Sequence, residues 1–232
     1  MKFVHSIQGA SALHVAVDEV VPLKGLVSED LIRLVGDTYK FAVKPQIPPG
    51  MAPGLMVPHV FQSGSVTLED AKFPVYQLII LQMGDIVVGP DTDTSDKILG
   101  HYMNLLDTQL EYRFDRSSTK RISHQSHVVV DFDDEIGRKM AAIGKLERLL
   151  DEHVRAPGAP FNLRRLAFGS SPAILQTQPM TLEAFDRMDF VIERRAINET
   201  SNPPNRYYSG APLDTSAHLS LLELLERELD QT

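Results

Sequence analysis

Histidine followed by serine two residues later occurs twice in this chain, as His124-Gln125-Ser126 and His218-Leu219-Ser220. Two imidazoles and two hydroxyls gathered in one cleft could serve as general base, general acid and hydrogen-bond donors to a phosphate. The first copy suits that geometry, because it lies in an extended run where a period of two puts His124 and Ser126 on one face. The second copy falls in a helical pattern, where positions two apart face nearly opposite ways. A His-dependent phosphoesterase or other hydrolase using His124, Ser126 and His218 therefore stands as an alternative. It requires His218 to face the same cleft as His124.

Other chemistry is thinner still. His124 and His127 are three apart on a predicted strand, so their rings point to opposite faces and would not share an ion. Asp131, Asp133 and Asp134 precede a helical pattern and are expected as capping and dipole partners, with Asp133 as the cap. The run Asp91 to Asp96 is rich in oxygen but lacks the Gly and closing Glu of a calcium loop. Glycine-rich phosphate loops and serine nucleophile elbows are absent, and there is no cysteine to act as nucleophile or thiolate ligand. No metal site and no cofactor are expected, and the reading leans away from an enzyme.

Two basic pairs, Arg164-Arg165 and Arg194-Arg195, sit in predicted strands. Were those strands neighbours, the guanidinium groups could collect beside Arg206 and Tyr207 as an anion-binding patch. The competing expectation is that each arginine pairs with one of the many carboxylates.

Association is the function the sequence favours. Residues 44–59 hold five prolines and two glycines, which excludes a helix or a central strand. The same loop carries Met51, Leu55 and Met56, side chains that either plaster across the core or dock on a partner. A second segment read as irregular, Asn198 to Pro212, offers Arg206, Tyr207 and Tyr208, residue types that dominate interface energetics. A non-catalytic subunit or adaptor follows, acting through a protein partner or self-association.

The elements that must position these residues centre on 73–150. Val75–Leu81 and Asp85–Val88 read as strands joined at Met83-Gly84. A helical pattern from Ile98 to Leu110 follows, then a strand from Ile122 to Phe132 and a helix from Ile136 to Leu150. Flanking strands are predicted at Leu13–Val17, Tyr39–Val43, Ser65–Leu68, Leu163–Phe168 and Met188–Ile192. A helix capped at Ser28 and a C-terminal helix after Asp214, packed through Leu221, Leu222, Leu225 and Leu229, complete the set. The fold class is α+β (mixed α/β), helices layered on a mixed sheet, with about seven or eight strands and four helices in a single domain spanning 1–232.

Charge narrows the partners. The chain carries a net −8, distributed as −6 over residues 1–112, +3 over 113–165 and −5 over 166–232. An acidic protein repels phosphate backbones at long range, which argues against nucleic acid. No apolar run reaches the roughly 18 residues of a membrane helix, and a cytoplasmic protein is expected.

Overall fold

The first strand joins the two halves of the sheet. β1 (Lys2–His14) pairs antiparallel on one side with β4 (Gly84–Gly89) and on the other with β5 (Arg121–Asp131). The remaining strands are β2 (His59–Leu68), β3 (Ala71–Leu81), β6 (Arg165–Phe168), β7 (Phe190–Arg194) and β8 (Arg206–Ala211). They form one eight-stranded sheet in the order β2-β3-β4-β1-β5-β8-β7-β6, and every pairing is antiparallel. Helices bounded within the described residues are α1 (Glu29–Thr38), α2 (Thr92–Leu110), α3 (Ala141–His153), α4 (Leu182–Asp186) and α5 (Thr215–Asp230). The expected α+β class, with helices layered on a sheet, is the fold. This computed structural model describes residues 1–15, 20, 29–45, 58–81, 83–116, 120–136, 140–153, 163–169, 181–195, 203 and 205–231.

Alternation along β1 and β5 assigns the helices to faces. His124 reaches Asp96 of α2, and Ser126, two residues on, reaches His218 of α5, so both helices lie on one face of the sheet. There Ile98, Leu99, Tyr102 and Leu106 pack on Leu13, Leu78, Ile80 and Val87. Leu222 packs on Val128, Val130, Ile192 and Tyr207. The opposite face presents Ala10 and Ala12, which meet Leu182 and Phe185 of α4. Small residues on β1 suit so short a covering helix, because it sits close to the strand.

The starts of α2 and α5 meet. Asp91 and Asp214 are the two N-caps, accepting from the Thr94 and Ala217 amides at 2.7 and 2.8 Å. Thr92 and Thr215 then exchange bonds, each amide donating to the other's hydroxyl at 3.2 and 2.8 Å. Gly9 makes this junction possible. A Cβ there would lie 2.2 Å from the Asp91 carbonyl carbon and the Thr92 nitrogen.

Several elements differ from expectation. The strand predicted at Leu13–Val17 is the end of a longer one, since β1 begins at Lys2. Tyr39–Val43 is not a strand: it meets β2 through one bridge, Val43 with Gln62, and through amide bonds such as Ser65 to the Tyr39 carbonyl. The segment Asn198–Pro212, read as irregular from its prolines, contains β8, whose six residues lie beyond them. Ile136 is helical as expected and its carbonyl accepts from the Met140 amide at 3.2 Å, residues 137–139 lie outside the described residues, and α3 runs from Ala141. Asp133 accepts from the Met1 amino group at 3.2 Å, not from an amide of that turn. On α5 Leu222, Leu225 and Leu229 pack on the core as expected, with His218 and Glu226 buried beside them, but Leu221 turns toward solvent. Ser28 lies outside the described residues.

One titratable residue of the core is a carboxylic acid. Asp85 opens β4 beneath α2, hydrogen-bonded to Tyr102, with its Oδ1 lacking a partner. Burial lifts its carboxyl to about 7 from an ordinary 3.8. Below the lower value both folded and unfolded chains hold the proton. Between the two only the fold retains it, so stability falls as pH rises through this window. Above it the cost is complete, roughly 4 kcal/mol. Asp85→Asn is therefore expected to gain on the wild type as pH is raised from about 4 to about 7. Urea unfolding across that range checks it, and a pH-independent difference contradicts it.

Candidate functional site

The hydroxyl–imidazole pair that the sequence singled out does form, though not in the combination expected. Ser126 of β5 meets His218 of α5 with Oγ to Nδ1 at 2.8 Å, and Ser209 of β8 meets Nε2 at 2.9 Å. Ser209 donates its proton to the Val191 carbonyl at 2.8 Å, so its oxygen must accept from the ring. Nε2 therefore carries hydrogen and Nδ1 accepts from Ser126. The result is a one-way chain from Ser126 through the imidazole and Ser209 to the backbone of β7. All three residues are fully buried. Burial, reinforced by neighbouring His127, pushes the His218 imidazole down to about 4. A serine activated by a base needs a route to substrate and a group that stabilises the imidazolium. Here Ser126 has no solvent access and no carboxylate faces the ring. The chain pins α5 to the sheet.

His124 goes elsewhere. Its Nε2 lies 3.0 Å from Asp96 Oδ1, tying β5 to the first turns of α2. The two histidines of the His-x-Ser copies thus serve different helices, and Ser220 lies two residues from His218 on the α5 surface.

A second cluster lies on the opposite face and was not legible in the sequence. Ser123 Oγ sits 2.7 Å from both His14 Nε2 and Asp186 Oδ1, and Arg121 bridges Asp186 and His14 Nδ1. The arginine can only donate, which makes Nδ1 an acceptor and puts the ring proton on Nε2. His14 thus donates to Ser123, and Ser123 donates to Asp186. That is the reverse of a base accepting the serine's proton. Burial opposes the Asp186 charge, yet the bonds from Ser123 and Arg121 outweigh it and hold the carboxyl below its usual range. The four residues come from positions 14, 121, 123 and 186, so no local spacing betrays them. They fix α4 to β1 and β5, helped by Gln125, which donates to the Phe185 carbonyl at 2.5 Å.

The arginines do become neighbours, because β6, β7 and β8 are adjacent. They do not pool. Arg165 faces Glu193 across the β6–β7 register, Arg194 reaches Glu135 at 3.5 Å, and Arg195 lies 3.5 Å from His5. Arg164 is exposed, and its carbonyl accepts from the Arg194 amide. Arg206 grips Asp131 with two bonds of 2.7 and 2.9 Å. Of the residues expected at a partner surface, Tyr207 is instead in the core, its hydroxyl accepting from the Ile136 amide, because β8 turns it toward Phe132 and Val130. Tyr208 is half-buried and stacks on His127. Met51, Leu55 and Met56 lie outside the described residues.

The open surface lies at the far edge of the sheet. β2, one outer strand, is covered by the Tyr39–Val43 segment. β6, the other, has no pairing on its outer side among the described residues. Phe168 ends it at 60% exposure, its ring 6.2 Å from Phe190, so it extends the second core cluster out to the edge. Glu147 of α3 accepts from the Leu163 amide at 2.5 Å, which sets α3 beside the approach to β6. Leu146 and Leu149 flank that glutamate and are 51% and 53% exposed. No helix among the described residues is long and apolar enough to cross a membrane, and none of their His, Asp and Glu side chains group as a metal site.

No protein-family model matches this chain, and neither does any curated protein.

His218→Leu is expected to destabilise the fold by roughly 1–3 kcal/mol, since it leaves the buried Ser126 hydroxyl without its acceptor while Ser209 keeps its bond to the Val191 carbonyl. The wild-type imidazole stays neutral in the fold while the unfolded ring gains a proton below about 6.5, so its contribution is lost as pH falls from there toward about 4. The variant should lack that acid-side loss. Unfolding curves on both sides of the window check this; wild-type stability and an unchanged acid limb contradict it.

Proposed function

We propose that the protein is a non-catalytic subunit that assembles with another protein chain through the β6 edge. The observation that carries this reading is the exposed group Phe168, Leu146 and Leu149 beside an outer strand whose opposite counterpart, β2, is covered. Free edges are normally blunted by charge, proline or a covering segment, because their unpaired amides and carbonyls invite another strand. β6 is short and begins with Arg165, but its outward backbone groups are unpaired among the described residues and a phenylalanine stands at its end. A partner strand added there would pair the edge and lay apolar side chains over the three rings and branches, each worth about 1.5–3 kcal/mol on full burial.

The hydrolase reading has less support. Ser126 and His218 are sealed in the core, and His14 donates to Ser123 instead of accepting from it. The anion-binding reading through Arg164, Arg165, Arg194 and Arg195 is weakened by the acids and histidine interleaved among them.

Phe168→Ser combined with Leu149→Ser is expected to leave the melting temperature within a few degrees of wild type, since both side chains are exposed. Sedimentation of the purified protein, with capture from the native host by wild type and variant baits, reads the outcome. The expected result is an oligomer or a captured partner that the double variant loses. A monomer that captures nothing, or an assembly indifferent to both substitutions, overturns the reading.

A further inference from the structure

At the other end of the sheet from β6 lies a cleft of about 350 Å³. Lys40, Lys72, His101, Thr38, Ser65 and Thr67 line it, drawn from α1, the turn after it, the β2–β3 hairpin and α2. None of its lining residues is acidic, in a chain whose net charge is −8. Thr67 and Lys72 are register partners across the hairpin, which holds a hydroxyl beside an ammonium. Neither Lys40 nor Lys72 is ion-paired to a described residue, whereas nearby Lys44 binds Asp37 at 2.7 Å. Lys97, one turn before His101 on α2, lies outside the cleft lining and holds its ammonium 5.8 Å from the Phe73 ring centroid.

Lys40 occupies a position that the backbone would give to glycine. The Phe41 amide bonds back to the Gly36 carbonyl, closing α1 with Lys40 in the left-handed region at φ 52°. Glycine is the usual residue at that point of a helix terminus, and any other side chain there carries a conformational cost. The cost is borne by a residue whose side chain lines the cleft. The helix end does not oppose an anion strongly, because the Val35, Gly36 and Tyr39 carbonyls accept from Tyr39, Phe41 and Ser65 amides.

His101 adds a directed donor. Its Nδ1 lies 2.9 Å from the Tyr39 hydroxyl, a group whose burial keeps it protonated. In the tautomer that accepts from that hydroxyl at Nδ1, the ring's own proton sits on Nε2. The cleft then offers two ammonium groups, three hydroxyls and an imidazole N–H. The geometry points to a binding site for a small phosphate monoester, whose two negative charges match Lys40 and Lys72 and whose oxygens accept from Thr38, Ser65, Thr67 and His101. This site is independent of the β6 edge and would hold whether or not the assembly reading does.

The test exploits the unusual backbone of Lys40. Lys40→Gly removes the charge while relieving the left-handed strain, so the variant is expected to melt at or above the wild-type temperature. Titration calorimetry of the full chain at low salt, with glycerol phosphate and then inorganic phosphate as probes, should give saturable binding to wild type. Lys40→Gly and Lys72→Gln should each weaken it about tenfold or more, and added salt should weaken the wild type in parallel. Wild type that fails to bind either probe, or a well-folded Lys40→Gly that binds as tightly as wild type, overturns the proposal.

Discussion

Pairing of β1 on both sides is the constraint on which the rest of this structure depends. Residues 59–89 build a three-stranded meander and residues 121–211 build most of the other half, but β4 and β5 never touch. Among the described strands β1 alone bridges them within the sheet, running from Lys2 opposite Asp131 to His14 opposite both Arg121 and Gly84. Its side chains are accordingly small where layers crowd. Gly9 lets the start of α2 rest on the backbone, Ser95 ties back to the Gly9 carbonyl at 2.9 Å, and Ala10 and Ala12 admit α4 from below. Gly84, at φ 138°, turns the β3–β4 hairpin where a Cβ would strike the Leu13 carbonyl. Bulky replacements at these positions would separate layers as well as strain one strand.

On that frame, polar side chains fix positions that apolar packing leaves free to slide. Hydrophobic contact is non-directional, so α2 and α5 are located by His124–Asp96, by the reciprocal Thr92–Thr215 bonds and by the Ser126–His218–Ser209 chain. Two buried groups titrate against each other in consequence. Across roughly pH 4 to 6.5 the Asp85 carboxyl makes the fold less stable as pH rises, while the His218 imidazole makes it more stable. Each binds or releases one proton, so the two slopes nearly cancel. A flat pH profile in the wild-type protein would therefore conceal two steep ones.

Much of this fold was legible in the sequence where one period dominated. The β3–β4 hairpin, α2, β5 and α5 all lie close to where alternation or helical spacing put them. Elements failed where a local signal was overridden or absent. Prolines before residue 205 obscured β8, although Arg206–Ala211 is itself proline-free. Tyr39–Val43 alternates like a strand but follows the close of α1 so directly that only one bridge to β2 forms. For the candidate sites the reason is different. His14, Ser123 and Asp186 converge through sheet register and a short helix, which no spacing within the chain encodes. A helical setting turns His218 and Ser220 nearly opposite ways, yet His218 alone meets a strand serine without any second copy of the motif.

The two ends of the sheet differ in a way that bears on function. At β2 the edge is covered and a cationic cleft lies beside it; at β6 the edge is open and apolar side chains surround it. Assembly at β6 is the central claim, and amide hydrogen exchange measures it at the residues concerned. The amides of Arg165–Phe168 that point away from β7, those of alternate residues, should exchange rapidly in dissociated protein and become protected in the assembled state, with little change along β2. Assembly that leaves those outward amides unprotected, or protects β2 in their place, would contradict the account.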